Sequence, residues 1–105
     1  MIASETERNF DETLAAAQAL VMVDFWAPWC GPCRAIAPVL EELVEASEGR
    51  VTLMKVNVDE NPALAARFDV RAIPTIVFFK DGAVVDRVIG AAPKAVLQGI
   101  VSARG

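Results

Sequence analysis

Two kinds of hydrophobic pattern alternate along this chain of 105 residues. The first is a short, almost unbroken apolar run rich in β-branched and aromatic residues, which is typical of a strand covered on both faces of a sheet. Such runs predict strands at residues 20–26, 51–58 and 75–79. Asp81-Gly82 then favours a two-residue hairpin turn, so residues 83–89 are predicted to return as a further strand.

The second pattern places apolar residues three or four positions apart, as on one face of a helix. It predicts helices over residues 7–17, 34–46 and 63–68, and a last helix that Pro93 opens. Thr6 or Asn9 can cap the first helix, and Asn61 followed by Pro62 suits the start of the third. The predicted inner faces consist of Ile36, Val39, Leu40, Leu43 and Val44 in the second helix and Val96, Leu97, Ile100 and Val101 in the last.

With a weak edge-strand signal in residues 1–5, the order of elements is βαβαβαββα. Parallel strands need crossover helices, whereas the hairpin adds antiparallel strands, so the sheet is predicted to be mixed. The fold class is therefore α/β, with a central mixed sheet flanked by helices. We expect residues 1–105 to form a single domain, because this length suits one small domain and the chain contains no repeat or low-complexity segment.

Composition narrows the function classes. Hydrophobic residues make up 54% of the chain, which is enough for a core without disulfide staples, and the net charge of −4 without a basic block argues against nucleic-acid binding. No apolar run approaches the roughly 18 residues that a membrane helix needs, and the N-terminus lacks the pattern of a signal peptide. We therefore expect a cytoplasmic monomer that binds neither nucleic acid nor membrane.

The two cysteines of the chain lie in the segment Trp29-Cys30-Gly31-Pro32-Cys33, at the junction between a predicted strand and a predicted helix. Residues three apart on a helix share a face, so the first turn brings the two sulfurs together. The N-terminus of a helix favours a thiolate, which is the nucleophile in disulfide exchange. The segment therefore predicts a redox-active dithiol, with Cys30 as its reactive thiolate.

Two other interpretations of the cysteines are weaker. A structural zinc site needs four Cys or His ligands, and the chain contains two cysteines and no histidine. An inert structural disulfide would close a very short loop and would remove little chain entropy. A reducing cytosol also makes a dithiol more often catalytic than structural.

The segment from Trp26 to Cys33 resembles the active-site segment of the thioredoxin family. The resemblance extends over the entire chain through further matching residues, which are Asp24, Pro38, Lys55, Pro74, Gly82 and Gly90. It implies the thioredoxin fold and a protein-disulfide reductase that uses a reversible Cys30–Cys33 disulfide. Trp26, Pro38 and Gly82 would then be structural residues. Arg34 departs from the lysine of many family members but keeps the positive charge.

Asp24 and Lys55 are charged residues inside predicted buried strands. The resemblance places the lysine beside a buried acid beneath the dithiol, and implies that Asp24 accepts the proton of Cys33 and returns it. The predicted catalytic set is therefore Cys30, Cys33, Asp24 and Lys55. From the residues alone, Asp24 could instead face water at a strand end, and Lys55 could extend its ammonium group to solvent.

The resemblance also implies a cis proline at Pro74, packed against the dithiol, although the residues alone equally allow an ordinary trans proline at a strand entry. A cis Pro74 would let the backbone of Ile73 pair with an extended substrate segment. Gly90 would border the substrate groove, or would simply form a tight turn. The predicted apolar docking surface comprises Trp29, Gly31, Pro32, Ile73, Pro74, Gly90 and Ala91.

The resemblance implies partners as well. Disulfide-containing client proteins would be reduced, and electrons would return from a flavin-containing thioredoxin reductase that uses NADPH, with no cofactor or metal bound to this chain. Two alternatives stay open at this stage. A thiol oxidase or isomerase of the same fold would differ in reduction potential, and a non-redox binding subunit of a larger complex would use only the apolar surface.

Overall fold

Strands and helices alternate in the computed structural model, which describes residues 2–4 and 9–105, with side chains from Asn9 onward. The strands are β1 (Ile2–Ser4), β2 (Leu20–Trp26), β3 (Val51–Asn57), β4 (Thr75–Lys80) and β5 (Ala83–Ile89). The helices are α1 (Phe10–Ala16), α2 (Gly31–Ala46), α3 (Pro62–Arg67) and α4 (Lys94–Arg104). The order βαβαβαββα confirms the predicted α/β fold class.

The strands form one mixed sheet in the order β1-β3-β2-β4-β5. β3 runs parallel to both β1 and β2, while β4 runs antiparallel to both β2 and β5. The predicted hairpin between β4 and β5 is present, and φ is +52° at Asp81 and +80° at Gly82. Positive φ at both central residues is what a hairpin turn of this length favours, which explains the Asp-Gly pair.

β2 lies between β3 and β4, and helices cover the sheet on both faces. On one face, Leu20 and Met22 pack with Leu40 of α2 and Leu97 of α4. On the other face, Val21, Val23 and Phe25 pack with residues of α1 and α3, namely Phe10, Leu14 and Leu64. Because successive residues of a strand point to opposite faces, both sets become buried, and this accounts for the unbroken apolar run of β2.

Several element boundaries differ slightly from the prediction. α1 begins at Phe10 with Asn9 as its N-cap, whereas the predicted start at residue 7 and the alternative cap Thr6 lie outside the described residues. β3 ends at Asn57, one residue early, although the Val58 N–H still donates to the Trp26 carbonyl oxygen over 2.9 Å. α3 begins at Pro62 and leaves Phe68 as its C-cap.

The helices bury one face each, with one misassigned residue in α4. Leu97 and Val101 are buried, but Val96 is 46% exposed, so its placement on the inner face is wrong. One residue corresponds to about 100° of rotation on a helix, which carries Val96 to the rim when Leu97 points inward. In the described part of the chain, no helix has the length and apolar character that crossing a membrane would require.

Leu40→Ala tests the layer between α2 and the sheet. Leu40 is fully buried, so the truncation should lower the free energy of unfolding by about 2–5 kcal/mol, through lost apolar burial and an unfilled cavity. The exposed neighbour Glu41 provides the control, because Glu41→Ala should change stability by no more than about 0.5 kcal/mol. Urea unfolding of the oxidised proteins measures both values, and equal losses would contradict the packing described here.

Candidate active site

The two cysteines lie at the junction between the end of β2 and the start of α2. Cys30 is the N-cap of α2, with φ −85° and ψ 108°, and Cys33 lies in the first turn of the helix. The two residues form a disulfide, and their Cα atoms are 5.2 Å apart. The backbone N–H of Cys33 donates to Cys30 Sγ over 3.1 Å. The sulfur of Cys30 therefore occupies the capping position that a side-chain oxygen usually takes.

The start of α2 is electropositive. The first-turn N–H groups of a helix have no partners within the helix and carry about half a unit of positive charge. The first turn of α2 contains no acidic residue, and the exposed Arg34 adds a fixed positive charge there. Both features favour negative charge on Cys30 Sγ once the disulfide opens.

Both cysteines are almost completely shielded from solvent. Cys30 is 4% exposed and Cys33 is 2% exposed. Gly31 and Pro32 lie above them at the surface, and Trp29 beside them is 68% exposed. A partner disulfide must therefore pack closely against this surface to reach Cys30.

Asp24 is a buried acid on β2, and its side chain is 1% exposed. In the sheet register, Asp24 lies opposite Lys55 on β3 and Ile76 on β4. Within the described residues, neither carboxylate oxygen of Asp24 has a hydrogen-bond partner. The alternative in which Asp24 faces water is therefore wrong.

Burial raises the pKa of Asp24 from 3.8 to about 6, because the charged form loses solvation, and the positive charge of Lys55 offsets part of this rise. Lys55 is half-buried, and its Nζ lies 5.0 Å from the centre of the Trp26 ring. A carboxyl group with this pKa exchanges protons readily near neutral pH, which is a property that general acid–base catalysis requires.

Pro74 closes the site from the side of β4. The Ile73–Pro74 peptide bond is cis, so the alternative of an ordinary trans proline is wrong. Ile73 packs against the cluster formed by Ala27 and the two cysteines, and its carbonyl oxygen lies 3.9 Å from Cys30 Sγ. The cis proline loop therefore contacts the dithiol directly.

Two hydrogen bonds hold the end of this loop. The Gly90 N–H donates to the carbonyl oxygen of Pro74 over 2.8 Å, and the hydroxyl group of Thr75 donates to the carbonyl oxygen of Ala72 over 2.6 Å. Gly90, with φ +86°, thus lies directly beside the proline. The structure thus places Gly90 next to the cis proline loop, and its role at the substrate groove stays a prediction.

The predicted docking residues differ in how far they reach the protein surface. Trp29, Gly31, Pro32 and Ala91 are exposed, whereas Ile73 and Gly90 are partly buried. Pro74 itself is buried, so it shapes this surface from below more than it contributes area.

Sequence reasoning missed several residues of this surface. A groove of about 200 Å³ is lined by Trp29, Val58, Ala65, Val70, Arg71, Ala72 and Ile73. Asp59 accepts a hydrogen bond from Trp29 Nε1 over 2.8 Å and so fixes the ring at the rim. Ile89 is 65% exposed and lies opposite Thr75 in the sheet register. For Ile89, its place immediately before the predicted docking residue Gly90 was the one sequence feature that could have indicated it.

The remaining predicted residues are structural in placement. Trp26 packs on the cysteine cluster, Pro38 lies inside α2, and Gly82 forms the hairpin at the far end of β4. Across the described ranges, 2–4 and 9–105, no group of three or more His, Cys, Asp or Glu side chains is arranged to hold a metal ion.

A disulfide at the N-terminus of a helix, with a buried acid on the strand that leads to it and a cis proline loop beside it, defines a thiol-disulfide oxidoreductase of the α/β class. The sulfurs of the chain carry the electrons, since a dithiol and a disulfide differ by two electrons.

Comparison with known proteins identifies the family. The family model described as thioredoxin matches residues 1–103. The chain is 53% identical over 93 residues to a thioredoxin of Staphylococcus haemolyticus, covering 89% of this chain and 88% of that protein. It is 47% identical over 96 residues to thioredoxin 1 of a Nostoc species, covering 91% and 90%. It is also 48% identical over 92 residues to the chloroplastic M-type thioredoxin of Pisum sativum, covering 88% of this chain and 54% of that protein.

The chain belongs to the thioredoxin family. It is a protein-disulfide reductase that uses the Cys30–Cys33 pair. The fold and activity implied by the sequence resemblance are thus confirmed.

Asp24→Asn tests the cost of the buried acid. The pKa of about 6 in the folded protein exceeds the ordinary 3.8, so the folded state binds this proton more tightly than the unfolded chain does. Well below pH 3.8 the carboxyl group is protonated in both states and carries no penalty. As pH rises from about 3 to 7, the wild type should lose about 3 kcal/mol relative to the variant, since one pKa unit is worth about 1.4 kcal/mol.

Urea unfolding of the oxidised proteins at a series of pH values measures this difference. At pH 7 Asp24→Asn should be more stable than the wild type by about 3 kcal/mol, and near pH 3.5 the two should converge. Glu45→Gln, at an exposed position of α2, should follow the wild type throughout. A gain that does not depend on pH would show that the raised pKa of Asp24 is not its origin.

Proposed function

We propose that Cys30 is the attacking sulfur of the reductase and that Cys33 is the resolving sulfur. The main support for this assignment is the capping arrangement, in which the Cys33 N–H donates to Cys30 Sγ over 3.1 Å at the start of α2. The Cys30 sulfur thereby lies against the positive end of the helix dipole, and Cys33 lies one turn further into the helix, beneath it. This asymmetry supports different roles for two residues of the same chemistry.

The reaction then has two exchange steps. The Cys30 thiolate attacks one sulfur of a client disulfide, so that a mixed disulfide forms and the other client sulfur leaves as a thiolate. Cys33 loses its proton and attacks Cys30 Sγ, which breaks the mixed disulfide and releases the second client thiolate. Two electrons move from the dithiol to the client, and the chain is left with the Cys30–Cys33 disulfide.

Asp24 accepts the proton of Cys33 in the second step and returns it when the disulfide is reduced again. Its burial and its pKa of about 6 support this assignment, because such a carboxylate takes up a proton readily near neutral pH. Lys55 lies opposite Asp24 in the sheet register. Its positive charge favours the ionised carboxylate and so keeps the pKa of Asp24 from rising further.

Clients dock on the apolar surface formed by Trp29, Gly31, Pro32, Ile73, Pro74, Gly90 and Ala91. An extended client segment pairs with the backbone of Ile73, which holds the client disulfide against Cys30. The closeness of the Ile73 carbonyl oxygen to Cys30 Sγ, at 3.9 Å, supports this placement. An uncharged surface with few specific polar groups suits many different clients.

Electrons return from a flavin-containing thioredoxin reductase that draws them from NADPH. The chain itself acts as a single-domain monomer over residues 1–105 and holds no cofactor. We place it in the cytoplasm, because a dithiol that donates electrons needs a reducing compartment.

Cys33→Ser and Cys30→Ser separate the two sulfur roles. With Cys33 absent, the mixed disulfide cannot be resolved, so Cys33→Ser should retain a covalent adduct with a client protein. Cys30→Ser should retain almost none, since the attacking thiolate is missing. Non-reducing electrophoresis after incubation with insulin detects the adduct. Equal trapping by the two variants would refute the assigned roles.

The electron source is tested separately. Wild-type protein, NADPH and a bacterial thioredoxin reductase should together reduce insulin, and the decrease in NADPH absorbance should follow the release of insulin thiols. Cys30→Ser should be inactive in this assay. If dithiothreitol supports insulin reduction by the wild type but NADPH with the reductase does not, the proposed reductase partner is wrong while the proposed sulfur roles stand.

A further inference from the structure

Arg87 on β5 holds the turn that ends α3. Its Nη1 donates to the carbonyl oxygen of Asp69 over 3.3 Å, and its Nη2 donates to the carbonyl oxygen of Phe68. Arg87 lies 18 and 19 residues beyond these partners and is half-buried. A charged guanidinium group that binds two successive carbonyl groups forms stronger hydrogen bonds than a neutral donor would.

The turn itself has the geometry of a Schellman motif. The N–H of Val70 donates to the carbonyl oxygen of Ala65 over 2.8 Å, and the N–H of Asp69 donates to that of Ala66 over 3.1 Å. Asp69 has φ +54°, a left-handed conformation that usually favours glycine. Because Asp69 adopts it less readily than glycine would, the two bonds from Arg87 help to keep the turn in this form.

This turn begins the loop that lines the docking groove. Val70, Arg71, Ala72 and Ile73 follow it directly, and all four line the groove next to Trp29. The far end of the loop is held by the bonds at Thr75 and Gly90 described above. Arg87 thus holds the near end, and β4 and β5 hold the far end.

We propose that Arg87 is a positioning residue for client docking, acting through the turn at Phe68 and Asp69 on the loop formed by residues 70–73. The inference rests on the proposed function, in which clients dock on this loop. Arg87 donates to the turn at Phe68 and Asp69 and belongs neither to the dithiol nor to the docking residues named above. Its loss should therefore weaken the docking of protein clients and leave the sulfur chemistry intact.

The test measures single-turnover oxidation of the pre-reduced protein, followed by tryptophan fluorescence, with two probes. Insulin needs the docking surface, whereas hydroxyethyl disulfide is too small to use it. For Arg87→Met, the half-saturating insulin concentration should rise about five-fold, and the limiting rate should stay within about two-fold of the wild type. The rate with hydroxyethyl disulfide should also stay within about two-fold, because Cys30 and its surroundings are unchanged.

Lys80→Met is the matched control. Lys80 Nζ also donates to a backbone carbonyl oxygen, that of Arg104, over 2.7 Å, but at the hairpin end of β4 away from the dithiol. This variant should show wild-type values with both probes. Arg87→Lys keeps the charge but not the two-pronged geometry, so its half-saturating concentration should lie between those of the wild type and Arg87→Met.

The outcomes are distinct. Unchanged insulin saturation in the folded Arg87 variants overturns the inference, as does an equal change in Lys80→Met or an equal loss with hydroxyethyl disulfide. If Arg87→Met does not fold, Arg87→Lys carries the same comparison. Failure of the wild type to react with insulin would instead overturn the proposed function.

Discussion

Strand β2 is bonded to β3 on one side and to β4 on the other, and helices cover both of its faces. This burial on both faces fixes the position of β2 and of the residues that follow it. The apolar residues of β2 anchor two separate core layers, so the end of the strand is held firmly in place. The dithiol follows within a few residues of that end, and α2 starts there. The position of the sulfurs is therefore set by the packing of the core and does not depend on a flexible loop.

The same burial destabilises the charged form of Asp24 and raises its pKa. A carboxylate in a fully covered strand loses its hydration, and Lys55 compensates only in part, so the pKa rises to about 6. In the proposed reaction, Asp24 takes up and returns the proton of Cys33 near neutral pH, and a raised pKa favours this transfer. The burial that lowers stability would thus serve the reaction, a combination that is common where a buried charge takes part in chemistry.

The proposed docking surface has a different origin, because it is assembled from segments that are distant in sequence. Trp29 comes from the dithiol segment, Ile73 and Pro74 from the connection before β4, and Gly90 from the end of β5. The hydrogen bond from Gly90 to Pro74 joins two of these segments, and the bond from Trp29 to Asp59 links the dithiol segment to the loop after β3. The surface is therefore only as well ordered as the loops that these contacts hold, and Arg87 belongs to the same set of contacts.

The amino-acid sequence by itself determined the order of elements, the dithiol, the hairpin at Asp81-Gly82 and the family. These features depend on local spacing, on turn chemistry and on residues adjacent in the chain, all of which can be seen without coordinates. Tertiary structure alone decided which interpretation of Asp24 holds, because burial depends on the helices that cover β2. It also decided the contacts of Asp59, Ile89 and Arg87, whose partners lie elsewhere in the chain, and the outward position of Val96. No local pattern records such contacts, because they arise only when separate segments pack against one another.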